Sequence, residues 1–256
     1  MSVMKNPVAL VTGATSGIGK ATACKLAKMG YKVIITGRRK ERLEEVAQTL
    51  RDECKIEVLP LHFDVRNNRE VEEHLGNLPK EWKDIEVLVN NAGLAAGLEP
   101  IQEGLLEDWE QMIDTNIKGL LYVTRVVAPS MIARKKGHIF NIGSIAGREV
   151  YPNGNVYCAT KHAVDALSKA MRIDMHKYGI KVTQVAPGAV ETEFSLVRFH
   201  QDADRAENVY KGYTPLTGED IADCIAAALN LPEHVCLADM LVLPKAQGSS
   251  RDFFKE

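Results

Sequence analysis

Val8-Ala9-Leu10-Val11-Thr12-Gly13-Ala14-Thr15-Ser16-Gly17-Ile18-Gly19 decides how the rest of the chain is read. A short apolar run ends in glycine, and residues 18–29 follow with apolar spacing that predicts a helix stopped at Gly30. Glycines let the backbone turn tightly and approach a pyrophosphate, while the helix N-terminus offers free N–H groups and a partial positive charge. The spacing G-x-x-x-G-x-G differs from the common G-x-G-x-x-G, yet it lies between the strand and helix of a first βαβ unit, where such a turn belongs. A dinucleotide site is therefore expected here, with Gly13, Thr15, Ser16, Gly17, Ile18 and Gly19 at the phosphates.

Outward from that turn, strand-like and helix-like segments alternate. Strands are expected at 33–36, 56–61, 85–89, 138–142, 181–186 and 240–243, and helices at 40–53, 67–76, 107–134, 157–178 and 219–231. The strands are β-branched runs without clean alternation, as in sheets covered on both faces. Repeated βα units predict one α/β domain over 1–256 with a parallel sheet and right-handed crossovers. Residues 188–217 make too long a plain connection and read as a binding loop or lid. The 107–134 helix has little polar face around Leu120, Leu121, Tyr122, Val123, Val126 and Val127, so one side is expected on the sheet and the other on a second subunit.

With 256 residues and 45% hydrophobic composition the chain can bury a sizeable core. A net charge of −2 with dispersed basic residues gives no footprint for nucleic acid or an anionic membrane. The start, Met1 to Pro7, runs into the first strand without a signal-like segment, and no apolar stretch approaches bilayer length, so a soluble cytoplasmic protein is expected. The five cysteines read as free buried thiols, Cys158 included, and neither they nor the seven histidines have metal-binding spacing.

Eighteen residues beyond Gly19, where an acidic side chain takes the ribose 2′-hydroxyl of NAD, stand Gly37, Arg38 and Arg39. No carboxylate is expected there to repel a 2′-phosphate, and two guanidiniums can pair with it, Arg38 foremost, so the cofactor expected is NADP. Asp64, Val65, Asn91, Ala92 and Gly93 lie at carboxyl ends of later strands, where ligands bind in such sheets. Tyr157 and Lys161 stand one helical turn apart, with Ser144 thirteen residues before Tyr157. Brought together, these three could move a proton to or from a carbinol oxygen: Lys161 would lower the phenol pKa, and Ser144 would steady the charge developing on that oxygen.

Taken jointly, TGATSGIG at 12–19, Asp64, NNAG at 90–93, Asn116, Ser144, Tyr157, Lys161 and Pro187-Gly188 followed by Thr192 resemble the short-chain dehydrogenase/reductase family. The resemblance implies a doubly wound Rossmann-type sheet of order 3-2-1-4-5-6-7 with helices on both faces, and a homotetramer built on the long helices. It makes Tyr157 the acid/base, with Lys161 also on the nicotinamide ribose and the Asn116 backbone anchoring a water in the proton relay. It adds Pro187, Gly188, Val190 and Thr192 to the cofactor contacts, and hydride transfer at the pro-S face of nicotinamide C4. Within the family, the segments at 37–43, 90–100, 107–116 and 192–199 look like the branch of NADP-dependent 3-hydroxy acid (serine/allo-threonine) dehydrogenases. A small 3-hydroxy acid, such as serine, allo-threonine, 3-hydroxyisobutyrate or the malonic semialdehyde type, would then need a carboxylate partner, for which Arg198 and Arg148 are the candidates. The alternatives are a 3-oxoacyl carrier-protein or broad carbonyl/sugar-alcohol reductase of the same family, and a non-catalytic NADP-binding regulatory protein.

Overall fold

The computed structural model describes residues 6–255; residues 1–5 and 256, including most of the N-terminal segment just discussed, lie outside them. Seven strands form a single sheet: β1 (Val8–Val11), β2 (Lys32–Gly37), β3 (Val58–His62), β4 (Ile85–Asn90), β5 (Gly137–Ile142), β6 (Ile180–Pro187) and β7 (Asp239–Val242). Their order is β3-β2-β1-β4-β5-β6-β7 and every neighbouring pair is parallel. The fold is thus the Rossmann-type α/β sheet expected. The order reverses between β1 and β4, and a crevice opens at their carboxyl ends.

Alternation along each strand explains why the sheet is covered on both faces. Val8 and Leu10 join Ile34, Leu88, Ile139 and Val182 in one core, and Ala9 and Val11 join Val33, Ile35, Val89, Phe140 and Val185 in the other. Helices α3 (Asn68–Gly76), α5 (Leu120–Arg134) and α6 (Asn155–Met175) fill the first core with Val71, Val127 and Met171. On the opposite face, α1 (Gly17–Lys28), α2 (Lys40–Cys54) and α9 (Gly218–Leu229) contribute Leu26, Val46 and Ile225.

Two elements differ from expectation. The 107–134 segment is not one regular helix: α4 (Leu106–Ile113) passes through a π-helical turn, Asp114–Gly119, before α5. Sequence periodicity does not register a single widened turn. Residues 188–217 are not a plain loop either, because they carry α7 (Phe194–Arg198) and α8 (Ala203–Asn208). These two helices are too short for a hydrophobic period to show. Their place is held by tertiary bonds: the Ser195 and Tyr210 hydroxyls meet at 2.8 Å, and the Tyr210 hydroxyl donates to the Val190 carbonyl at 2.9 Å.

Candidate active site

A groove of about 850 Å³ lies over the carboxyl ends of the central strands. Of the residues assigned to the site from sequence, only Gly19, Asn116 and Arg148 lie outside its lining.

At the glycine turn, Gly13 takes φ +66°, and a Cβ there would stand 2.9 Å from the Ala92 Cα. A Cβ on Gly19 would collide with the Gly13 carbonyl oxygen and the Asn91 amide, so both positions require glycine. The Asn91 amide donates to the Thr12 and Gly13 carbonyls at 2.8 and 3.0 Å, and the Asn91 and Ala92 N–H groups both reach the Thr12 hydroxyl at 3.0 Å. The NNAG segment thereby fastens the end of β4 to the turn. Ser16 makes no side-chain capping bond and α1 has no acid in its first turn, so the helix start presents uncapped N–H groups at the groove. This donor set fits a dinucleotide pyrophosphate.

The two arginines beyond β2 both line the groove but have different partners. Arg38 lies 3.9 Å from Asp64, while Arg39 donates from Nη2 to Thr15 Oγ1 and Ser16 Oγ, both at 2.8 Å. Successive residues leaving a strand point opposite ways, so only Arg39 turns onto the glycine loop. Arg42, three residues along and missed from sequence, faces the same way. Between them stands Glu193, whose carboxylate accepts from Arg39 Nη1 at 2.7 Å and Arg42 Nη1 at 2.5 Å. The expectation that no carboxylate is present here is therefore corrected: one arrives from across the fold. Partial burial would raise the Glu193 pKa, but its bonds to Arg39 and Arg42 hold it below the usual range. Asp64 is likewise held low, against its burial, by Arg66, which donates to it at 2.7 and 2.9 Å; it lines the groove beside Val65.

At the other end, α6 buries Tyr157 and Lys161 on one face. Lys161 Nζ donates to the Ile142 carbonyl at 2.9 Å and lies 5.9 Å from the Tyr157 ring centroid. Ser144, just past β5, accepts the Ala146 N–H at 3.1 Å, donates to the Pro187 carbonyl at 3.5 Å, and lines the groove together with Tyr157. All three side chains line the same groove. Burial pushes the Tyr157 phenol well above its ordinary value, and the Ser144 hydrogen bond and the Arg198 charge offset this only in part; burial also lowers Lys161 to about 8. Loss of water disfavours the charged form of each group. Cys158 is buried and its thiol pushed up, which suits an inert residue, whereas the other four cysteines are only partly buried or exposed.

Asn116 sits in the π-helical turn, away from the groove surface. Its side chain accepts the Leu94 N–H at 2.8 Å and donates to the Leu94 carbonyl at 2.8 Å and to Thr160 Oγ1 at 3.0 Å. It thus ties the NNAG segment to the helix that carries Tyr157.

The candidate substrate arginines separate cleanly. Arg148 is paired with Asp239 of β7 and does not reach the groove. Residue 148 follows the 3-10 turn Ile145–Gly147, which directs its side chain to the sheet edge. Arg198, at the end of α7, lies with its guanidinium carbon 5.6 Å from the Tyr157 ring centroid and 5.5 Å from that of Tyr151. Its Nε and Nη2 are buried without a protein partner among the described residues. Phe194 packs edge-on against Tyr157 at 5.6 Å, and Arg251 stacks on Tyr151 at 4.6 Å. Tyr151, Phe194 and Arg251 had no local signal that could have marked them.

The chain is similar to known proteins over nearly its whole length. It is 49% identical over 242 residues to the NADP-dependent 3-hydroxy acid dehydrogenase YdfG of Salmonella typhi, covering 94% of this chain and 96% of that one. It is 44% identical to an NADP-dependent 3-hydroxy acid dehydrogenase of Schizosaccharomyces pombe, covering 100% and 99%. A solved structure of the closed form of a serine dehydrogenase complexed with NADP+ matches with a TM-score of 0.91 and 45% identity over 97% of this chain and 99% of that one. Residues 7–202 match the short chain dehydrogenase family, and with the sheet order and with Ser144, Tyr157 and Lys161 lining one groove the chain belongs to that family.

Proposed function

We propose that this protein is an NADP-dependent oxidoreductase that interconverts a short 3-hydroxy acid and its 3-oxo form. The observation that carries the substrate class is Arg198. A guanidinium with two buried, unpartnered N–H positions beside the Tyr157 ring is suited to a carboxylate. A neutral alcohol would leave those donors unsatisfied. Serine, allo-threonine, 3-hydroxyisobutyrate and malonic semialdehyde all have a carboxylate two bonds from the reacting carbon, and the names of the relatives favour the same class.

In this reading Arg198 clamps the carboxylate and turns C3 toward the cofactor. When bound, an oxidised nicotinamide supplies the hydride acceptor and a positive charge beside the phenol. Tyr157 takes the hydroxyl proton in oxidation and returns it in reduction. Ser144 donates to the same oxygen and stabilises its developing charge. Lys161 supplies charge to the phenol when protonated, and its Nζ, with the Asn116 backbone and a water, continues the proton path. The uncapped start of α1 holds the pyrophosphate, and Arg39 with Arg42 takes the 2′-phosphate. Asp64 and Val65 border the adenine, and Pro187, Gly188, Val190 and Thr192 border the nicotinamide. The phenol's protonated resting form makes Tyr157 ready as an acid, so carbonyl reduction needs no prior ionisation.

All 256 residues are proposed to serve one domain, working as a homotetramer. Leu106, Ile113 and Leu121 are exposed at spacings of seven and eight along α4 and α5, as one apolar line that a second copy can cover. No helix among the described residues is long and apolar enough to cross a membrane, and five free cysteines suit the reducing cytoplasm.

Replacing Arg198 with Met should raise KM for a 3-hydroxy acid by about 100-fold, the scale of a lost charge-assisted pair, with a far smaller change for a neutral secondary alcohol. Equal changes for both substrates would refute the clamp.

A further inference from the structure

Glu193 is not needed by the chemistry above, yet it stands in the middle of the cofactor site. It precedes α7, so it is joined through one short helix to Phe194 and Arg198 at Tyr157. Its two oxygens reach Arg39 and Arg42 at 2.7 and 2.5 Å. Arg39 meanwhile directs Nε and Nη2 to Thr15 and Ser16, leaving Nη1, which now points at Glu193, as its free arm. A 2′-phosphate needs those same N–H donors, and a carboxylate and a phosphate cannot share them without like-charge repulsion. The three side chains are 42%, 49% and 38% exposed, so the pairs are water-screened and open to exchange.

We propose that Glu193 sets cofactor preference: its carboxylate competes with the adenosine 2′-phosphate for Arg39 and Arg42, holding the preference for NADP over NAD below what the two arginines alone would give. This rests on the reading of the arginine pair as the 2′-phosphate site. It makes cofactor selectivity a balance between two residues near the end of β2 and one from the segment that also delivers the substrate arginine. A carboxylate that merely oriented the arginines would act in the opposite direction.

Calorimetric binding of 2′,5′-ADP and of 5′-AMP to the full chain, at low salt, separates these cases for the wild type, Glu193→Gln and Arg39→Gln. Glu193→Gln is expected to tighten 2′,5′-ADP by about three- to tenfold and to leave 5′-AMP within about twofold, with the gain shrinking as salt is raised. Arg39→Gln is expected to weaken 2′,5′-ADP by about tenfold or more with little effect on 5′-AMP. If Arg39→Gln weakens 2′,5′-ADP while Glu193→Gln leaves it unchanged or weaker, the competition is overturned and the 2′-phosphate site stands. If Arg39→Gln has no effect on 2′,5′-ADP, both fall.

Discussion

Tyr157 and Lys161 are both drained of water, and the direction of their shifts matters more than their adjacency. Oxidation needs the phenolate and reduction needs the phenol. With the phenol held above its ordinary value, the oxidation rate should climb as pH rises from about 7 to 10 while the reduction rate stays nearly flat over that range, a contrast that initial rates in both directions will reveal. Tyr157→Phe removes the proposed proton carrier without changing the groove's shape; kcat should fall by about 1,000-fold, with dinucleotide affinity within about twofold by fluorescence titration. A second buried group acts on stability. His138 is 3% exposed, its Nε2 is 2.7 Å from the Thr183 hydroxyl, its Nδ1 has no partner among the described residues, and burial lowers its pKa to about 3. As pH falls below 6.5 the unfolded chain takes up a proton there and the folded chain does not, so stability is lost progressively down to about pH 3. The loss from this residue should reach about 2 kcal/mol by pH 5. His138→Gln should flatten the acid limb of urea-unfolding free energy against pH; an unchanged limb would exclude this origin.

The elements act through their irregular points. The π-helical turn Asp114–Gly119 puts the Asn116 side chain across from Leu94 and Thr160, joining α5, the segment after β4, and α6. Asn116→Ala would strand the buried N–H and carbonyl of Leu94, while the Thr160 hydroxyl keeps its bond to the Tyr157 carbonyl, and should cost about 3 kcal/mol in denaturant unfolding while loosening the dinucleotide site. An effect on turnover alone, with stability intact, would instead make the residue purely a member of the relay. In the same way α7 is less a connector than an arm, carrying Glu193, Phe194 and Arg198 to three different points of the groove.

For the whole molecule, the apolar line along α4 and α5 is the feature one chain leaves unfinished. Leu121 is 38% exposed, whereas its neighbours Leu120 and Val123 are buried against the sheet. On the proposed tetramer, Leu121→Lys should shift the mass toward dimer or monomer by light scattering, with the isolated fold retained by circular dichroism. A tetramer of unchanged mass would place the interface elsewhere.

The order of strands and helices and the glycine turn were legible from the chain itself, whereas Ser144, Tyr157 and Lys161 stood out as a set only through the joint pattern that resembles a family. The first two depend on neighbours within a turn or on residue types that only one backbone geometry accepts, as Gly13 and Gly19 show. What only the tertiary structure decided involves partners far apart in sequence. Glu193 reaches Arg39 and Arg42 from more than 150 residues away, and Arg198 rather than Arg148 enters the groove. The direction of the Tyr157 and Lys161 shifts belongs with them. Burial and side-chain direction are set by everything packed around a residue, and local spacing carries no record of that.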